Sequence, residues 1–494
     1  MVEEFVTDLL EEAVPVMLEN DPGWPAYAAT YNVRLSYTPV AIVLPQTDMQ
    51  VARVVESAAR HRLQVQARSG GHSYTSFSHG GRNGAVVIDL RALQDVKVLG
   101  FPDSDESGIA RVGGGVRLGN LALRLYAQGK RALAHGTCPS VGIGGHFTHG
   151  GYGHCSRAWG LAMDQIVAMD VVLADGSLVR ATESENKDVF YAMRGAADSF
   201  GIAVNFYLRT QPAPKKVIRW TFEFGDLLGE TDVQGAVCTM LNLQKLVRDS
   251  SLIDRRFSFG VHLGNQRFGI SGIYLGPLDH FTERIQPALL RCFSKAPQQN
   301  NGQCEVLGWL KTLESQSGGE PLATGSAYDG HSNFFAKSVM VPEPGLSADA
   351  LTSYFSFIAK ISASNPNQEI GEEIGWFAIL DLYGGADSQI NNIVRHSDAA
   401  FPHRSSLWVA QHYGFVDNSQ KFPAAGFGLV EGLNEAMVRH MGGRYAAYIN
   451  YTDSSLSREQ SQALYYGDVH LQRLRAIKQM LDPGNVFAHP QSIA

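Results

Sequence analysis

The sequence predicts an α+β protein of two regions, the second built on an antiparallel sheet backed by helices. Three observations carry that reading. From Tyr37 to Arg91 short apolar runs alternate with one amphipathic helix, and the glycines fall in the connections. Beyond Gln211-Pro-Ala-Pro, strand-like alternation dominates from about Ile218 to Gly443. In Phe257–Leu263 the odd positions are apolar, the mark of a sheet with one buried face. Near the end, Leu471, Leu474, Ile477 and Leu481 recur at helical spacing until Asp482-Pro-Gly-Asn stops the helix.

Taken in order, the acidic, amphipathic start predicts a helix over about 3–18, followed by a loop with Pro22, Trp24 and Pro25. Ala41–Leu44 is a strand ending before Pro45, Met49–Arg60 a helix, and Leu63–Ala67 and Ala85–Leu90 are strands. Further strands are expected near Ile109–Val112 and Val167–Leu173, with Asp175-Gly176 as the hairpin turn before Ser177–Ala181 and a helix at Asp188–Met193. In the second region Trp376–Leu382 and Leu407–Tyr413 are strand candidates. These divisions place one domain at 1–214, a second at 215–445, and a segment at 446–494 that returns to the first.

Composition excludes more than it assigns. The chain has 494 residues, with 41 basic against 48 acidic and a net charge of −7, so nucleic acid is not an expected partner. No run of uncharged apolar residues is long enough for a membrane helix, and membrane binding is not expected. The N-terminus lacks the basic and apolar regions of a signal peptide, so the chain is expected in the cytoplasm, or secreted if a leader has been removed. A monomer is expected. Five cysteines without a C-x-x-C make neither a disulfide framework nor a zinc ribbon; Cys292 and Cys304 form the one pair to consider. Glycine is out of line: 51 in all, 23 of them between Gly70 and Gly201. Such clustering suggests backbone brought close to something.

Two motifs lie inside that cluster. Arg68-Ser-Gly-Gly-His-Ser-Tyr74 follows a predicted strand, and its paired glycines leave consecutive N–H groups free to form an anion-binding nest. It is neither a Walker A loop nor a G-x-G-x-x-G turn, and read alone it is also compatible with an ordinary Gly-Gly turn. The second runs from His135-Gly-Thr-Cys-Pro-Ser-Val-Gly-Ile-Gly-Gly-His146 to His149-Gly-Gly-Tyr-Gly153; so many glycines predict no regular element. A metal site at His146 and His149 is not expected, because glycine-rich backbone is a poor frame for imidazole ligands.

Together and in this order, the two motifs resemble the vanillyl-alcohol-oxidase (PCMH) type of flavoprotein oxidase, within its berberine-bridge-enzyme-like branch. The resemblance runs nearly the whole chain, through Arg194-Gly-Ala, Phe200-Gly-Ile, Tyr383-Gly-Gly, Ala400-Phe-Pro-His-Arg, Tyr448-Ile-Asn-Tyr451 and Asp482-Pro-Gly-Asn-Val-Phe. It implies a two-domain PCMH-type FAD-binding fold and a bicovalent FAD: 8α-histidyl at His72 and 6-S-cysteinyl at Cys138. It further implies cofactor contacts from Arg68, Ser69, Gly70, Gly71 and Ser73, from Thr137, Val141, Gly142, Gly144, Gly145, His146 and Gly151, and from Ile202 and Asn450. Val141 matches the position where valine accompanies oxygen access, which favours an oxidase.

Within the branch the chain is similar to the glucooligosaccharide and chitooligosaccharide oxidases. That similarity implies Tyr451 as general base and Asp381 as its assistant, with hydride leaving the anomeric carbon of a reducing-end sugar to give a lactone, and O2 reduced to H2O2. An isolated phenol is a poor base at neutral pH, so Asp381 helps only by accepting the phenolic proton as the reaction proceeds. Tyr74 and Gln411 match sugar-contacting positions. Gly260, His262, Phe377, Ile379 and Ser332 replace more polar residues of those relatives, and of these His262, Phe377 and Ile379 are expected to touch substrate. The competing reading is oxidation or oxidative cyclisation of an apolar secondary metabolite at the same flavin; a flavin-bearing storage protein without turnover is a third.

Overall fold

The computed structural model describes residues 2–100, 108–225, 232–264, 267–298, 303–325, 330–363, 374–392 and 398–494. Three sheets organise them. The first joins β1 (Val16–Met17), β2 (Ala41–Val43), β3 (Val65–Arg68) and β4 (Val86–Asp89) in the order β1-β2-β4-β3, with β2, β4 and β3 parallel. The helix Asp48–Arg60 connects β2 to β3. Thr47 caps it by accepting from the Gln50 N–H, and Val51, Val54, Val55 and Ala58 bury one face. The N-terminal helix stops at Glu11, short of the predicted end. Ala13 turns into the left-handed region (φ 53°) and Pro15 leads the chain into β1.

The second sheet is antiparallel and contains β5 (Val96–Gly100), β6 (Gly108–Gly113), β7 (Arg131–Ala132), β8 (Ile166–Val172), β9 (Leu178–Thr182) and β10 (Ile202–Pro212). The expected hairpin at Asp175-Gly176 joins β8 to β9, with Gly176 at φ 81°. The glycine-rich stretch after Cys138 does build a regular element, the short helix Ile143–Thr148, which places Ile143 and Phe147 in the core. The C-terminal helix Arg458–Leu481 opens with a Ser457/Gln460 capping box and returns Leu471, Leu474 and Ile477 to the core around β8 and β10.

The third sheet has seven antiparallel strands: β11 (Val217–Glu223), β12 (Phe257–Gly264), β13 (Arg267–Tyr274), β14 (Gln303–Leu307), β15 (Asn333–Pro342), β16 (Gly375–Leu382) and β17 (Ser406–Val416). Their order is β14-β11-β13-β12-β16-β17-β15. Phe257, Phe259, Val261 and Leu263 face a core shared with the helices Val233–Leu246, Ala348–Ala363 and Ala424–Val438. The opposite face, carrying Gly260, His262 and Asp381, is turned toward the first two sheets rather than to solvent. All five cysteines are free thiols, Cys292 and Cys304 included. No helix of the described residues is long and apolar enough to cross a membrane.

Candidate active site

A cavity of about 850 Å³ lies between the glycine-rich loops and the polar face of the seven-stranded sheet. It brings together His72 and Cys138 from the loops, Asp381 from β16, and Tyr451 from the turn before the last helix. Backbone contact between the two glycine loops makes this convergence possible. A Cβ on Gly70 would stand 2.1 Å from the Gly142 nitrogen, and one on Gly142 would stand 2.0 Å from that of Gly70. Only two glycines let these segments touch. The Ser69 hydroxyl secures the contact, donating to the Gly114 carbonyl at 2.6 Å and accepting from the Gly144 N–H at 3.3 Å.

His72 packs against the Tyr31 ring, with centroids 4.3 Å apart. Burial, helped by the charge of Arg117, brings its pKa down to about 4, so the imidazole is neutral at pH 7 and keeps a free lone pair. The Cys138 thiol opens onto the cavity, and burial, with Glu320, raises its pKa. Two nucleophiles on one elongated cavity, flanked by backbone at Gly70, Gly71, Gly142 and Gly145, fit a flat, electrophilic ring system. Gly145 has open space where a side chain would stand.

Asp381 faces the cavity from the middle of the sheet. Its partners across the strands are Gly260 and Val409. A Cβ at position 260 would come within 2.8 Å of the Asp381 carboxylate, so the carboxylate occupies the room glycine leaves. Among the described residues no hydrogen bond or ion pair reaches this carboxylate, and burial alone lifts its pKa to about 7. Tyr451 is pushed well above the ordinary phenol value, first by burial and then by the charge of Asp381. Its ring stacks on Tyr74 at 5.5 Å, and the Tyr74 hydroxyl accepts a hydrogen bond of 2.7 Å from Gln411. Phe377 stacks on Tyr413 at 4.7 Å, while the neutral His262 is joined to the Ser271 hydroxyl at 2.9 Å.

Gly70, Gly71, Ser73, Tyr74, Thr137, Val141, Gly142, Gly145, His146, His262, Phe377, Ile379, Gln411 and Asn450 all line the cavity, as does Ser69. Arg68, Gly144, Gly151 and Ile202 do not line this cavity, though Arg68 borders a small recess with Gly70, Gly71 and His72. Arg68 is fully buried against Asp89, its neighbour across the parallel pair β3–β4, and against the Tyr27 carbonyl. Gly144 packs on Ser69, Gly151 on Ala162, and Ile202 sits in the core between the first two sheets. His146 is a brace as well as a wall: its ring nitrogen accepts from the Gly136 N–H at 2.9 Å.

Sequence reasoning missed Tyr448. Its phenolic oxygen accepts from the Gly151 and Tyr152 N–H groups, both at 3.0 Å, and from the Asn450 amide at 3.1 Å. The Asn450 amide also donates to the His146 and His149 carbonyls. Tyr448 and Asn450 therefore anchor the turn that carries Tyr451 to the glycine loop, and the signal was their presence in one tetrapeptide. Tyr31 and Tyr413, which also line the cavity, lie in no motif.

Residues 39–182 match the model of the FAD binding domain family, and residues 447–494 that of the family described as berberine and berberine like. A chitooligosaccharide oxidase of Gibberella zeae is 32% identical, over 99% of this chain and 94% of its own length. A xylooligosaccharide oxidase of Thermothelomyces thermophilus is 34% identical over 97% and 92%. The solved structure of an Acremonium strictum glucooligosaccharide oxidase, a protein described as carrying 6-S-cysteinyl, 8α-N1-histidyl FAD, superposes with a TM-score of 0.89 at 29% identity, covering 99% of this chain and 98% of that one. The fold is thus the PCMH-type FAD-binding fold with an antiparallel sheet domain, and the chain belongs to the berberine-bridge-like family of FAD-linked oxidoreductases.

Proposed function

We propose that this enzyme oxidises the anomeric carbon of a reducing-end sugar to a lactone, with dioxygen as final acceptor and hydrogen peroxide as product. The observation that carries the reading is the convergence of Tyr451 and Asp381 on the cavity that also holds His72 and Cys138. The names of the relatives support a sugar rather than an apolar metabolite. Phe377, stacked on Tyr413, offers an aromatic surface of the kind that packs on the apolar face of a pyranose. A peroxide assay over a panel of reducing mono- and oligosaccharides tests the reading, and silence on every sugar overturns it.

His72 and Cys138 would hold FAD, whose ring supplies a two-electron acceptor that dioxygen reoxidises. The chain's own residues manage the proton. Tyr451, protonated at rest, accepts the C1 hydroxyl proton as Asp381 takes up the phenolic one, so free tyrosinate never accumulates beside a carboxylate. Tyr451→Phe is accordingly expected to slow anaerobic flavin reduction by about 10²–10⁴-fold while sugar still perturbs the flavin spectrum. A rate within a few-fold of wild type removes Tyr451 from the mechanism.

Bicovalent attachment has its own test. Acid-precipitated wild type is expected to stay yellow, His72→Ala and Cys138→Ala each to retain flavin through the other link, and the double variant to release it. Free flavin from the wild type defeats the assignment.

A further inference from the structure

The cavity extends past Asp381 along the polar face of the sheet, across β12 and β13 to β11, and its end there has a distinct chemistry. Arg219 of β11 lines this arm with His154, His262, Ser271 and Gln316. Three strand spacings of about 4.8 Å and a two-residue offset along the strands put its backbone roughly 16 Å from that of Asp381. Among the described residues Arg219 makes no hydrogen bond and no ion pair. Gln316 has its amide nitrogen buried without an acceptor, and His154 has Nδ1 buried without a partner. Among the described residues, the only acidic ones lining the cavity are Asp381 and Asp198. Glu305, directly across from Arg219 on β14, is solvent-exposed and forms no ion pair with it; Glu320 acts on Cys138 and Tyr31.

Buried donors without acceptors are costly, and a guanidinium facing a cavity arm free of carboxylates is the fork that matches an oxyanion. We infer that this arm is a carboxylate-binding subsite, and that the preferred substrate is an acidic oligosaccharide bearing a uronate unit beyond the reducing-end sugar. The arm's length allows this. A sugar whose C1 stands at Asp381 and Tyr451 projects its next units along β12 and β13, where His262 and Ser271 offer neutral hydrogen-bonding groups. Arg219 and Gln316 then meet a negative charge on a following unit.

The inference rests on the sugar-oxidase reading, so its test has one arm that needs no turnover. With the flavin-loaded enzyme, the ratio of kcat/KM for a uronate-bearing reducing oligosaccharide to that for a neutral one of equal length is expected to be at least about tenfold. The ratio should collapse toward one in Arg219→Gln, recover in part in Arg219→Lys, and shrink with added salt. Arg209→Gln, a charge removed from an exposed position on β10, should leave the ratio as in wild type. A wild-type ratio near one, or one that Arg219→Gln leaves unchanged, overturns the subsite while the sugar reading stands. In parallel, calorimetric titration with the same acidic oligosaccharide reduced to its alditol, which has no anomeric carbon to oxidise, should show binding that Arg219→Gln and Gln316→Leu weaken. If no sugar gives peroxide, this titration decides alone: binding lost in Arg219→Gln supports the subsite, and no binding overturns it.

Discussion

Asp381→Asn is expected to lower turnover by about 10²–10⁴-fold and, at the same time, to raise the melting temperature above neutral pH. Both effects have one cause. The carboxylate sits in the room left by Gly260, without a hydrogen bond or ion pair among the described residues, and burial brings its pKa to about 7. A proton acceptor poised near neutrality suits the chemistry, and the wild-type rate of flavin reduction should rise with pH through a limb near 7 and fall about tenfold per unit below it. Stability runs the other way. Between the unfolded value near 3.8 and the folded value of about 7 the native state binds the extra proton, so stability is lost as pH rises through that window. The amide carries no such penalty. The melting-temperature gain of Asp381→Asn should therefore be largest at alkaline pH and fade toward pH 4. Rapid-mixing reduction rates and differential scanning calorimetry, each across that range, check both limbs; a pH-independent rate, or a variant that is less stable at alkaline pH, contradicts the account.

Arg157 carries the largest expected effect on stability. It belongs to the short helix Ser156–Trp159, is fully buried, and keeps its charge at pH 7 although burial lowers its pKa to about 10. Its guanidinium donates to the carbonyls of Gly384 at 2.8 Å, Asp254 at 3.0 Å and Ala386 at 2.7 Å, and to that of Phe257. All four acceptors belong to the segments that begin β12 and follow β16. One side chain of the cofactor region thus pins the two strands that bear Gly260, His262 and Asp381. Arg157→Leu removes guanidinium donors from the buried carbonyls of Gly384 and Phe257 and the partly buried ones of Asp254 and Ala386, and a loss of about 3–5 kcal/mol is expected. Arg157→Lys, which reaches fewer of them, should fall between. Denaturant melts of the flavin-loaded proteins measure this; a leucine variant within about 1 kcal/mol of wild type would show that water replaces the guanidinium at little cost. Turnover should fall along with stability, because β12 and β16 form the wall opposite His72.

Local motifs made one half of the site legible. His72 and Cys138 lie in tight glycine loops whose spacing is independent of the rest of the chain, and both face one cavity. Arg68, four residues before His72, has an ion-pair partner that no local motif shows. Its partner Asp89 is 21 residues away along the chain and becomes its neighbour only when β3 and β4 pair in parallel. Tyr448 was overlooked beside Tyr451 because nothing in a tetrapeptide says which phenol is held by backbone N–H groups. The N-terminal helix was drawn too long because amphipathic spacing persists past the point where Ala13 and Pro15 turn the chain.

The sequence by itself determined which residues of Phe257–Leu263 are apolar, and hence which face of that strand meets the helices. Period-two alternation is a local property of the backbone and survives without knowledge of neighbours. What covers the other face is not local. Only the tertiary structure decided that His262, Arg219 and Asp381 line a cavity instead of meeting bulk water, because that depends on the glycine-rich loops folding over them. The same enclosure turns an ordinary carboxylate into a group that titrates near neutrality. Burial and the absence of a nearby partner set that value, and neither is written in the order of residues along a strand.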